Sequence, residues 1–153
     1  MITRLADPVR DEAAIRAGAI DFANRCGFRH ILLKGMDDGA VGNRAVAVTS
    51  SPAVTTIVAE HNADIVAGIA VAMVPSMWNP DLILVEELFF WAAEDAPKTA
   101  ALRVLRDAMA RTKHMTAPAA VLFKSLATSP AKLRDVYLSL GLEELETAYV
   151  GEV

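Results

Sequence analysis

The sequence predicts a mixed α/β fold: an α+β arrangement of one central mixed sheet, mostly antiparallel, with a parallel β-α-β crossover between its fourth and fifth strands. Three observations carry this. Apolar residues recur at three-to-four spacing in separate stretches near both ends of the chain, the mark of amphipathic helices. Aliphatic runs bounded by turn residues fill the stretch from Val54 to Trp91. The clearest helix is followed by a further strand-length run, AAVLF, which places a strand–helix–strand unit after the hairpins.

The elements follow in order. After a candidate strand at the N-terminus, Asp7-Pro8 opens the first helix, with Asp as N-cap and Pro at the first helical position. Ala13, Ala17, Ile20 and Ala23 give it an apolar stripe, and Gly27 closes it. Between His30 and Ser51 the pattern is ambiguous. Val41, Ala45 and Val48 keep helical spacing, while Gly39 and Gly42 weaken a helix and leave a strand at 45–49 open. VTTIVAE (54–60), the turn His61 to Asp64, and IVAGIAVAMV (65–74) read as a hairpin. Asn79-Pro80-Asp81 turns the chain into LILVEELFFW (82–91). The next helix, Thr99 to Lys113, sets Ala101, Val104, Leu105, Ala108 and Met109 against Arg103, Arg106, Asp107 and Arg111. A short strand at 119–123 follows Pro118. Ser129-Pro130 then caps a helix carrying Leu133, Val136, Tyr137 and Leu140, ended by Gly141, and a last strand is expected at about 143–151.

Composition narrows the function. With 153 residues, 54% hydrophobic and 22% charged, the chain suits one domain over 1–153 and excludes wholesale disorder. Roughly one residue in five is Ala, so the apolar total overstates the large side-chain volume available for burial. Fifteen Lys+Arg against nineteen Asp+Glu, a net charge of −4, argue against a nucleic-acid partner held by phosphate neutralisation. A ligand that carries its own phosphates remains compatible, because a few backbone amides can hold them. The single cysteine, Cys26, excludes an intrachain disulfide and a multi-Cys zinc site, and reads as a small buried apolar residue. His30, His61 and His114 lack ligand-like spacing, so no metal is expected. The longest uncharged run, Ile65 to Pro80, is about four residues short of a membrane span. The N-terminus lacks a signal-peptide pattern. Soluble, cytoplasmic and without a membrane partner is the expectation.

Two acidic residues interrupt the most apolar strand. Successive side chains in a strand face opposite sides, so one of Glu86 and Glu87 must enter a face its aromatic neighbours bury, unless a bulge or an edge intervenes. Burial raises a carboxyl pKa towards the neutral value a general base needs. The same residue also suits a structural carboxylate, bonded to backbone or paired with an Arg.

From Val54 onward, about two thirds of the chain, the sequence resembles the GCN5-related N-acetyltransferase (GNAT) family. The resemblance rests on IVAEHNADIVAGIAVAMV, on VEELFFW and on SPAKLRDVYLSLGLEELETAYV, and its closest flavour is that of small phage-encoded GNAT-like proteins. It implies acetyl transfer from acetyl-CoA to an amine acceptor. Glu87 matches the family's acidic position on the fourth strand and would act as base; Tyr137 matches the tyrosine of the closing helix and would act as acid. The residues matching the family's pyrophosphate loop are Lys98, Thr99, Ala100 and Ala101, and Ser129 matches a polar position near CoA that a helix cap also explains. Met77 and Trp78 lie near the family's acceptor side and also suit hairpin packing. The basic residues of the long helix read as a solvated face.

One departure stands out. The loop Ala93 to Ala101 holds no Gly, where the family has an Arg/Gln-x-x-Gly-x-Gly/Ala pattern. Pro97 removes a donor, and Glu94 and Asp95 add negative charge where phosphates would lie. The chain therefore supports two readings. One is an acyl-CoA-dependent N-acyltransferase with weak donor binding. The other is a GNAT-fold structural or interaction protein that has lost CoA binding, a virion component or a binder of a protein partner.

Overall fold

The computed structural model describes residues 1–25, 33–77, 79–114, 119–123 and 131–144. Among these residues five strands form one sheet in sequence order: β1 (Ile2–Leu5), β2 (Val54–His61), β3 (Asp64–Pro75), β4 (Ile83–Ala92) and β5 (Ala119–Leu122). The first four pair antiparallel, and β4 pairs β5 in parallel. Among the described residues four helices accompany them: α1 (Glu12–Arg25), α2 (Asp38–Thr49), α3 (Ala100–Lys113) and α4 (Ala131–Ser139).

The hairpins form where alternation and turn chemistry coincide. Between β2 and β3, Asn62 and Ala63 take left-handed backbone angles (φ 52° and 71°), the conformation a tight two-residue hairpin turn demands at both central positions. Between β3 and β4, the Asn79 side chain accepts from the Asp81 amide at 3.2 Å and its carbonyl from the Leu82 amide at 2.9 Å. Met77 is 81% exposed, so it does not pack the hairpin as the sequence suggested. Trp78 lies outside the described residues.

Each face of the sheet carries its own core. Ile57, Ala59, Ala67, Ile69, Val71 and Val85 pack with Ala100, Val104, Leu105 and Ala108 of α3 and with Tyr137 of α4. On the opposite face, Val58, Ala70, Phe89 and Trp91 pack with Ile15 and Ala19 of α1 and Ala45 of α2. The helix at 38–49 resolves the ambiguous stretch: the Asp37 side chain accepts from the Ala40 amide at 2.7 Å, an N-cap that outweighs the glycines.

Several boundaries and stripes differ from the sequence expectation. In α1 the buried residues are Ile15, Gly18, Ala19 and Ala23, while Ala13 and Ala17 are exposed. Alanine is cheap on either face, so an alanine stripe does not mark the core. Asp7 does cap a turn, accepting from the Val9 and Arg10 amides at 2.9 and 3.1 Å, but the regular helix starts only at Glu12. A charged cluster anchors that start. Buried Asp11 takes a two-pronged bond from Arg4 (2.6 and 3.0 Å) and a third from Arg10 (3.1 Å), and both arginines also reach Glu60. The long helix α3 is buried along Ala100, Val104, Leu105, Ala108 and Thr112, with Ala101 and Met109 only half-buried. Gly141 (φ 81°) ends α4, and the Leu142 amide reaches back to the Tyr137 carbonyl at 3.2 Å. Most of the strand expected at 143–151, together with Cys26, Gly27, His30, Pro118, Ser129 and Pro130, lies outside the described residues.

Candidate active site

The site begins with an irregularity in β4. Ala70 pairs Phe89 and Val71 pairs Glu87, so Leu88 is an extra residue opposite no partner, a β-bulge. Val85 packs on the α3–α4 side of the sheet, Leu88, Phe89 and Trp91 on the α1–α2 side, and Phe90 and Ala92 on the α3–α4 side again. Leu88 and Phe89 thus share a face. The bulge resolves the conflict read in the sequence: Glu87 enters the buried α3–α4 side, 5% exposed, without displacing the aromatic residues that follow.

A second feature sits beside it. The parallel pairing runs from Ile83–Ala119 to Glu86–Leu122, in the first half of β4. Residues 89–91 lie beyond it. Glu87 is therefore the first residue of β4 past the last described β4–β5 pair.

Tyr137 lies against Glu87. It is 7% exposed, on the inward face of α4, and its Oη donates to Glu87 Oε2 at 3.0 Å. Its ring also packs against Phe123, just past β5, at 5.8 Å between centroids and 55° between planes. Burial, the facing Glu87 charge and the hydrogen bond to it all push the phenol pKa well above its ordinary range. Two residues 50 positions apart thus meet as a buried phenol–carboxylate pair. Glu86 is half-buried one residue earlier.

The loop after β4 is the second part of the candidate site. The Ala93 amide donates to the Val66 carbonyl (2.9 Å), the Ala96 amide to the Ala93 carbonyl (3.1 Å) and the Ala100 amide to the Pro97 carbonyl (2.7 Å). Of the four residues matched to a pyrophosphate loop, Ala100 is fully buried with its amide turned to Pro97, Ala101 is half-buried, and Lys98 and Thr99 are exposed. Thr99 makes no capping hydrogen bond with its side chain. Lys98 and Thr99 stand immediately before the first turn of α3. Exposed Glu94 and Asp95 precede them in the loop.

Sequence reasoning brought Glu87 and Tyr137 forward separately, and the structure joins them. It missed the buried Asp11 cluster, whose only trace was an Arg–Asp spacing with nothing to mark it as spatially close. No helix among the described residues is long and apolar enough to cross a membrane, and no group of three His, Cys, Asp or Glu among them is placed to hold a metal.

No family model matches the chain, and no curated protein matches it in sequence. Solved structures match it in fold. A mutant of a Bacillus halodurans protein superposes with a TM-score of 0.77 at 14% identity, covering 100% of this chain and 99% of that one. Ribosomal-protein-alanine N-acetyltransferase from Brucella melitensis biovar Abortus 2308 gives 0.71 at 12% identity, with 100% of both chains covered. An aminoglycoside N-acetyltransferase in complex with CoA gives 0.66 at 11% identity over 99% of this chain and 93% of that one. The mixed sheet with its parallel β4–β5 pair is the GNAT fold.

Proposed function

We propose, starting from this fold, that residues 1–153 form one GNAT-like domain that transfers an acyl group from acetyl-CoA to an amine, with Glu87 as base and Tyr137 as acid. The single observation that carries the reading is the buried Tyr137–Glu87 bond beside the last described β4–β5 pair. Amide formation from a thioester needs a group to remove a proton from the attacking nitrogen and a group to protonate the departing sulfur. A buried carboxylate and a phenol within 3.0 Å of each other supply both at one place. Lys98, the Thr99 hydroxyl and the Ala101 amide would hold one phosphate of the donor, and Ser129 remains a candidate contact from the family match. The acyl donor brings the activated carbonyl; the chain's own residues orient it and move the protons.

The loop favours a second reading. Its amides at Ala96 and Ala100 already serve the loop's own turns, and two carboxylates stand beside them. A domain of this kind could keep the fold without binding CoA and serve as a structural or interaction module, in a virion or on a protein partner. A thermal-shift titration with acetyl-CoA, paired with release of free thiol in the presence of a panel of primary amines, separates the two. At about 10 mM acetyl-CoA and a Kd of several hundred micromolar, binding adds roughly 1.5–2 kcal/mol, a shift of several degrees. No shift and no thiol release would remove the enzyme reading.

A further inference from the structure

We infer that Glu87 and Tyr137 are not an independent base and acid but one internal proton relay, in which the base must act before the acid can. The inference rests on the acyltransfer reading above and deepens it. Its ground is geometric: the phenol Oη already donates to Glu87 Oε2 at 3.0 Å, and both side chains are buried against the α3–α4 core.

The bond direction sets the order. While Glu87 is ionised, its charge faces the phenol and holds the phenolic proton in place; burial holds it further. In that state Tyr137 is a poor acid. Glu87 then takes the proton the amine sheds as its nitrogen bonds the acyl carbon. The carboxyl becomes neutral, the charge opposing a phenolate vanishes, and the carboxylic O–H can now donate towards the phenol oxygen. Tyr137 gives its proton to the sulfur as the carbon–sulfur bond breaks, and the bonding pair leaves with sulfur. The proton on Glu87 crosses the existing contact to Tyr137. One proton has passed from nitrogen to sulfur, the carboxylate and the phenol are both restored, and no outside acid, base or oxidant is required.

The relay has two separable tests. In the first, turnover is measured by thiol release from acetyl-CoA with a responsive amine, for Glu87→Gln, Tyr137→Phe and the double variant. Residues acting as one unit give non-additive losses, so the double variant should be within about threefold of the slower single one. Losses that multiply, ~10²-fold each and ~10⁴-fold together, would overturn the relay and leave the enzyme reading standing. A wild-type protein inactive with every amine would sink the enzyme reading, and the relay with it.

The second test needs no turnover. Alkaline absorbance titration, with the Tyr137→Phe curve subtracted to isolate this phenol, should show Tyr137 ionising well above the ordinary tyrosine range, and Glu87→Gln should bring that midpoint down. An unchanged midpoint would refute the coupling. If Glu87→Gln does not fold, Tyr137→Phe carries the test from the other side. The Glu87 carboxyl, followed by carbon NMR, should titrate higher once its O–H donor is gone, and an unchanged carboxyl titration would refute the coupling equally.

Discussion

Glu87 owes its position to a neighbour that carries no charge. Leu88, the unpaired residue of the bulge, lets a carboxylate enter one side of the sheet while Phe89 enters the other. Glu87→Gln keeps the shape and still accepts from Tyr137, so the fold should persist. Turnover should drop by about 10²-fold or more, and the deficit should shrink as pH rises and the amine sheds its proton unaided. Circular dichroism with the thiol-release assay checks both halves; a variant with full activity would assign the carboxylate no chemical part. The cluster around Asp11 shows the other use of buried charge. Arg4 and Arg10 satisfy it and also donate to Glu60, tying β1, β2 and the entry to α1 together with no chemistry in view.

At the scale of elements, close packing decides what the helices and strands tolerate. Trp91 lies between α1 and β3, stacked on Phe89 with centroids 5.6 Å apart, in a slot floored by two glycines. A Cβ at Gly68 would stand 2.1 Å from the indole, and one at Gly18 2.4 Å. Gly68→Ala and Gly18→Ala should each lower stability by about 1–3 kcal/mol, since overpacking forces the ring to move. The double variant should lose less than the sum, because the ring moves once. Denaturant melts of the three variants test this. The loop after β4 makes the opposite kind of demand, on openness. With the Ala100 amide bound to Pro97 and two carboxylates exposed nearby, calorimetry should give acetyl-CoA a Kd in the high micromolar range or weaker. Two charges ~6 Å apart at an effective dielectric near 20 repel by about 3 kcal/mol before screening; half of that, together with one lost phosphate hydrogen bond, is enough for roughly one to two orders of magnitude. Low-micromolar affinity would refute it.

For the molecule as a whole, the buried phenol links stability to pH. The Tyr137 pKa is raised in the folded state above its ordinary value of 10.0, so the folded protein holds that proton more tightly than the unfolded chain. The resulting stability is fully present below about pH 10 and is lost as pH rises past it. Melting temperature of wild type should therefore fall above that pH, and Tyr137→Phe should fall less steeply; parallel slopes would deny the linkage. Much of this architecture was legible from the chain. Hairpin runs, the stripe of α3 and the Gly141 stop are local signals, and local signals survive folding. Two things were not. The stripe of α1 hid among alanines, which fit either face. The Tyr137–Glu87 contact spans 50 residues and depends on where parallel pairing ends, which no spacing along the chain encodes.

The bulge also gives the fourth strand an arithmetic of its own. Val85, Glu87, Phe89 and Trp91 all occupy odd positions and all are buried, yet the first two and the last two look in opposite directions. Leu88 shifts the phase of everything after it. Its count matters more than its chemistry: Leu88→Met should cost less than about 1.5 kcal/mol. Deleting it would remove the bulge and make Glu87 and Phe89 neighbours, with their pairings to Val71 and Ala70, their opposite sides and the indole's glycine slot all kept. The deletion variant should therefore still melt cooperatively, and one that fails to fold would mean that the bulge does more than set the parity of this strand.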